Sequence, residues 1–276
     1  MSAEARPVCV WGVPRSGTSW LGKIIESAGG LRYFFEPLHP NNHPETAAFA
    51  YRRYLREGSD LPELREFLGR LFDGRLDSDW MARHRNPGVS GRRPLIKCIR
   101  MNLMIDWVVT TFGVAGCVIV RQPNAVIGSR LRLGWAAGSP DDFLSQPELM
   151  ADHLAAYRDV LRAARTPVEV LAVEWAVSTK VALAAAERHD LPLVRYEELC
   201  RTPEVVSREL FRRLDLPWHD SVSRFIHETS SRHEIGEFSV YRSAREMGSR
   251  ETQLSPQHQR EVARVCQAFG FDASER

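Results

Sequence analysis

The chain has 276 residues, 43% of them hydrophobic and 26% charged, a balance with which a soluble α/β domain can bury a sizeable core. The formal net charge of +2 excludes a global attraction to nucleic acid or an anionic surface, so any basic site has to be local. Cys9, Cys98, Cys117, Cys200 and Cys266 are too widely spaced for a disulfide framework or a metal cluster, and no apolar stretch has the length of a bilayer span or a signal region. The expectation is a cytoplasmic enzyme with reduced, buried thiols, no membrane span and no nucleic-acid partner.

Residues 8–11 (VCVW) form an apolar run of the length of a buried strand. Residues 12–17 are turn-rich, and from Gly17 onward Trp20, Leu21, Ile24, Ile25 and Ala28 recur at helical spacing until Gly29 and Gly30 end the helix. Strand, glycine loop and helix amino-terminus together favour an anion, because free first-turn N–H groups and the helix dipole meet there. Arg15, Ser16, Thr18 and Ser19 add a cation and three hydroxyls at the same place.

Residues 33–44 (YFFEPLHPNNHP) read as a loop, with three prolines and Glu36 extended ahead of Pro37. Residues 44–80 are helical in pieces, with Leu61, Leu64, Phe67, Leu68, Leu71 and Phe72 at helical intervals. Residues 83–94 read as a polar, solvated linker. Further strands are predicted at 95–100, 116–121 and 191–194, and helices at 102–112, after Gln122, within 141–165 from near Pro147, and at 174–188. This alternation predicts an α/β fold, a three-layer doubly wound parallel sheet with a P-loop-like strand–loop–helix, in a single domain over 1–276. Residues 227–253 are polar and irregular, either a disordered connection or a lid, and a helix over 256–269 closes the chain.

Gly12 and Gly17 have the spacing of the nucleotide triphosphate loop, but Thr18 stands where that loop carries its lysine, which argues against an ATPase or kinase. PRSGTSW at 14–20 instead resembles the 5′-phosphosulfate loop of sulfotransferases that use 3′-phosphoadenosine 5′-phosphosulfate (PAPS), and FFEP at 34–37 resembles their bacterial and carbohydrate branch. VRQPNAVIGSR at 120–130 resembles the 3′-phosphate motif of the same family, with Gln122 in place of the acidic residue often found there. RYEEL at 195–199 is a third resemblance in the same order, carrying no ligand role. Independently of the family, Arg121 ends a predicted parallel strand, where ligands sit, and a guanidinium fork suits phosphate.

The resemblance implies that Arg15, Ser16, Gly17, Thr18 and Ser19 hold the phosphosulfate, that Arg121 and Ser129 hold the 3′-phosphate, and that Trp20 contacts adenine. It implies in-line sulfuryl transfer from PAPS to an acceptor hydroxyl, leaving adenosine 3′,5′-bisphosphate and needing no metal. Residues 97–100 (KCIR) lack the histidine of the aryl and steroid enzymes, so Glu36 stands as the general base, with His39 as the alternative. Lys97 and Arg100 orient the donor sulfate or pair with Glu36. Arg242, Arg245 and Arg250 are candidates for a lid, with Arg250 reaching the nucleotide, although the family's lid tryptophan is missing. A sugar, a glycolipid and a small metabolite alcohol all fit as acceptor, and a homodimer is compatible with the sequence. The alternatives are a P-loop-type nucleotide kinase or phosphotransferase and a non-catalytic nucleotide-binding module.

Overall fold

A computed structural model describes residues 6–49, 52–82, 84–88, 91–231 and 254–272. Five parallel strands form one sheet: β1 (Val8–Trp11), β2 (Gly30–Phe35), β3 (Gly91–Lys97), β4 (Ala115–Val120) and β5 (Leu193–Arg195), in the order β2-β3-β1-β4-β5. The main helices are α1 (Thr18–Glu26), α2 (Pro62–Phe72), α3 (Ile105–Phe112), α4 (Pro123–Arg132), α5 (Pro167–Arg188), α6 (Tyr196–Arg201), α7 (Pro203–Arg213), α8 (Asp220–Ser231) and α9 (Pro256–Ala268).

Side chains alternate across a strand, so each strand feeds two cores. Val8 and Val10 face a cluster with Trp20, Leu21 and Ile24 of α1 and Leu210 and Phe211 of α7. Cys9 and Trp11 face the other way, toward Leu64 and Leu68 of α2 and Trp107 of α3. Helices on both faces of a parallel sheet are the expected three layers. A third cluster packs α4 and α9 around α5, a 22-residue helix opened by a Thr166–Glu169 capping box.

Several sequence expectations need correction. Residues 33–35 do not begin a loop but complete β2, because Leu31, Tyr33 and Phe35 alternate into one core and Phe34 into the other. The turn chemistry starts only at Pro37, so the sheet has five strands rather than four. The linker expected at 83–94 already enters β3 at Gly91, and Arg85 is not merely solvated: its Nε donates to the Tyr33 carbonyl at 3.1 Å. The helix expected near Pro147 is broken into short α, π and 3₁₀ segments before Arg158–Ala163. The polar segment at 227–253 begins inside α8, and the rest of it, with Arg242, Arg245 and Arg250, lies outside the described residues. The five cysteines are buried free thiols; burial pushes those of Cys98 and Cys117 up to about 12.

Candidate active site

The loop at 12–17 leaves β1 and turns into α1 through Gly17, whose φ of 95° is left-handed. A side chain there would also collide, since a Cβ on Gly17 would lie 2.4 Å from Cδ2 of Tyr196. Tyr196 therefore floors the loop from the start of α6. It does the same for a second motif: the Arg121 guanidinium stacks 4.3 Å from the Tyr196 ring centroid. Next to it, the Gln122 backbone N–H donates to the Glu197 carboxylate at 3.0 Å. The register explains why, because Val120 of β4 pairs with Arg195 of β5, setting Arg121 beside Tyr196. The RYEEL stretch, to which the sequence assigned no ligand role, thus supports both anion motifs.

Arg15 and Arg121 are neighbours: the Arg121 Nη1 donates to the Arg15 carbonyl at 2.9 Å, and the Arg15 Nε donates to Ser129 Oγ at 3.1 Å. Trp175 Nε1 donates to the Arg121 carbonyl at 3.0 Å and fixes the strand end from the other side. Both arginines line one cavity of about 560 Å³, together with Gly17, Thr18 and Ser19. Ser129 lies behind the cavity wall, reaching it only through Arg15.

Two residues expected at the nucleotide make hydrogen bonds within the protein. Ser16 is fully buried and does not line the cavity; its hydroxyl donates to the Val13 carbonyl at 2.7 Å and shapes the loop. Trp20 borders the cavity but is packed as core, with its indole N–H given to Thr229 Oγ1 at 2.9 Å and its ring edge-on to Tyr196.

The opposite end of the cavity is built on β2 and β3. Phe35 pairs with Lys97, and the Glu36 N–H donates to the Lys97 carbonyl at 2.8 Å, so the two side chains leave adjacent strand ends together. Glu36 is 3% exposed and forms a buried ion pair with Lys97 Nζ, with Arg100 Nη1 at 3.4 Å and the Ile99 N–H at 3.3 Å. Its φ of 46°, like the 71° of Arg15, lies in the left-handed region that non-glycine residues rarely enter. Strain of this kind, about 1–3 kcal/mol per residue, persists where the surroundings over-determine it, typically at ligand clamps. His39 borders the same cavity; burial first, and Arg100 second, lower its pKa, so it is neutral at pH 7. Phe35, Trp80 and Trp135 add aromatic walls.

Six cationic side chains and one carboxylate, Glu36, line the cavity. Arg52 and Trp135 belong to this lining and carried no signal in the sequence, since nothing local distinguishes them from surface residues; Arg130, also in the lining, closes the 120–130 motif but was given no role there. Among the described residues, no group of three or more His, Cys, Asp or Glu could hold a metal ion, and no helix is long and apolar enough to cross a membrane.

A model described as "Sulfotransferase family" matches residues 7–220. No curated protein matches the chain. Solved structures similar to it include a mouse sulfotransferase complexed with PAP (14% identity, 96% of this chain and 84% of the other, TM-score 0.49). A sulfotransferase from Mycobacterium avium matches at 15% identity over 98% and 78% of the two chains, with TM-score 0.48. A sulfotransferase domain of the curacin biosynthetic pathway matches at 14% identity over 97% and 98%, also at 0.48.

Proposed function

Since the chain belongs to the sulfotransferase family, we propose that its cavity binds PAPS at the Arg15–Arg121 end and an acceptor alcohol at the Glu36 end. The observation that carries this reading is the meeting of the two anion motifs in one cavity with a carboxylate opposite them. Two guanidinium groups tied together through the Arg15 carbonyl suit a nucleotide bearing phosphates at both ends of its ribose.

In the proposed reaction the acceptor oxygen attacks sulfur while the bond from sulfur to the bridging phosphate oxygen breaks. The acceptor proton passes to Glu36, and the leaving group departs as adenosine 3′,5′-bisphosphate. Charge develops on the departing phosphate, where Arg15, Thr18, Ser19 and the first N–H groups of α1 are already oriented; such preorganised donors are the usual main source of rate. Lys97 touches Glu36 in the free protein and has one further role open to it, supporting the sulfuryl oxygens once the carboxylate takes a proton. His39, neutral and on the same turn, is the second candidate base. The whole of 1–276 acts as one catalytic unit in this reading, and the acceptor is a small alcohol, free or sugar-borne.

A thermal-shift comparison of adenosine 3′,5′-bisphosphate, PAPS and ATP–Mg²⁺ tests the reading. A ligand at one hundred times its Kd stabilises by about 2.7 kcal/mol. Stabilisation by the bisphosphate and PAPS, with none from ATP–Mg²⁺, is expected. The reverse order would point to phosphoryl transfer, and bisphosphate binding without sulfate transfer to any alcohol would leave a binding module.

A further inference from the structure

Arg15 carries a long, rotamer-rich side chain on a residue whose φ of 71° is left-handed, so the direction of its guanidinium is set by what surrounds it. Two of its contacts stand on one element. Ser129, on α4, accepts from the Arg15 Nε at 3.1 Å. Trp135, just beyond the end of α4, has the Arg15 guanidinium carbon over its ring, 5.9 Å from the centroid.

The way α4 ends fixes where Trp135 lies. Gly134 is left-handed, with a φ of 65°, and its N–H donates to the Leu131 carbonyl at 3.1 Å, while the Trp135 N–H donates to the Arg130 carbonyl at 3.1 Å. These two bonds make a Schellman ending, which ties Trp135 to the helix that carries Ser129. Beyond it the stretch 135–138, a wall of the cavity, is pinned to Glu174, a buried carboxylate of α5. The Gly138 N–H and Arg130 Nη1 each donate to Glu174 at 2.6 Å, and Arg130 Nη2 donates to the Ala136 carbonyl at 3.3 Å. Arg52 bonds the same carboxylate at 2.6 Å. Both ends of the wall are thus anchored in the free protein, with the indole against Arg15.

Resting on the sulfotransferase reading, we propose that Trp135 is a positioning residue for the donor: together with Ser129 it brackets the Arg15 guanidinium and aims it at the 5′-phosphosulfate. A guanidinium stacked on a ring engages through its face and keeps its in-plane N–H groups for hydrogen bonds, so holding the group and using it do not compete. A side chain already ordered before the ligand arrives loses less freedom on binding, and the gain falls on the 5′ end of the nucleotide. A cation over an indole changes an equilibrium by about three- to thirtyfold.

Calorimetry on the full chain tests this with two probes, adenosine 3′,5′-bisphosphate and adenosine 3′-phosphate, which lacks the 5′ group. Trp135→Leu should weaken the bisphosphate by about three- to thirtyfold and leave the 3′-phosphate within about twofold. Trp135→Phe, which restores a ring, should recover much of the loss. In an Arg15→Met background Trp135→Leu should have no further effect, because the indole acts through Arg15. Trp135→Met, nearer in volume, takes the place of Trp135→Leu if that variant folds poorly. Equal losses for both probes, or a loss that persists without Arg15, would mean that Trp135 meets the base or merely supports the cavity. Either result overturns the proposal, as does an unchanged bisphosphate affinity in Trp135→Leu. Failure of the wild type to bind the bisphosphate at all would instead overturn the sulfotransferase reading beneath it.

Discussion

Replacing Glu36 by Gln removes a proton acceptor and a structural charge together, and the structure allows the two effects to be separated. The Lys97 and Glu36 side chains are 6% and 4% exposed. Removing one partner of such a buried pair costs about 3–5 kcal/mol, because the other charge is left desolvated. Set against a typical total stability of about 5–15 kcal/mol, that loss alone could abolish activity by unfolding. The double variant Glu36→Gln/Lys97→Met removes the stranded charge, and exchanging a buried pair for apolar packing is often neutral. Urea unfolding should therefore show Glu36→Gln strongly destabilised and the double variant close to the wild type. Adenosine 3′,5′-bisphosphate affinity, measured by calorimetry, should stay within a few-fold in the double variant. Sulfate transfer should fall by at least about 10²–10⁴, the usual contribution of a general base, since the variant also removes the Lys97 charge proposed to support the sulfuryl oxygens. A stable double variant that turns over within about tenfold of the wild type would refute the base assignment and leave Glu36 as a strut, with His39 next to be replaced.

Gly17→Ala combines a left-handed φ, costing about 1–2 kcal/mol for a residue with a Cβ, with the collision against Tyr196. Bisphosphate affinity should fall by about tenfold or more, and Gly17→Ala/Tyr196→Ala should regain none of it, because Tyr196 also carries Arg121; recovery would mean the ring is only filler. Arg121→Lys keeps the charge but loses the fork and the stacking. It should weaken adenosine 3′,5′-bisphosphate about tenfold and adenosine 5′-phosphosulfate, which lacks the 3′-phosphate, hardly at all; equal losses would move Arg121 away from the 3′ end. His39, His43 and His153 all have pKa values lowered, chiefly by burial. The unfolded chain then binds more protons in mild acid, so their contribution is complete above the ordinary histidine range and is lost as pH falls through the lowered values. Denaturant midpoints should drop between pH 7 and pH 5, and less so in His39→Gln.

What was legible from sequence is what local chemistry dictates. The β1–loop–α1 unit could be read because an apolar strand, two glycines and a helical repeat are contiguous, and Arg121 because it follows an apolar strand directly. Residues 33–35 were obscured by their neighbours, since Pro37, Pro40 and Pro44 suggested irregular structure over a segment whose first three residues still pair with β3. Ser16 and Trp20 were placed at the right loop, but a sequence motif does not show that the Ser16 hydroxyl bonds its own turn or that the Trp20 indole N–H is given to Thr229. Glu174 could not have been found. It is brought to Arg52 and Gly138 only by the packing of α5 beneath the wall, and no spacing rule links positions so far apart in the chain.

The strand order also divides the labour. Everything proposed to grip the donor hangs from β1, β4 and β5, on one flank of the sheet, whereas Glu36 and Lys97 ride on β2 and β3, on the other. The central strand is the seam between the half proposed to grip the donor and the half that carries Glu36. A designer seeking a new alcohol substrate could exchange segments on the β2 flank and leave the nucleotide grip intact. In such grafts the pairings of Lys97 with Phe35 on one side and with Val10 on the other have to be preserved.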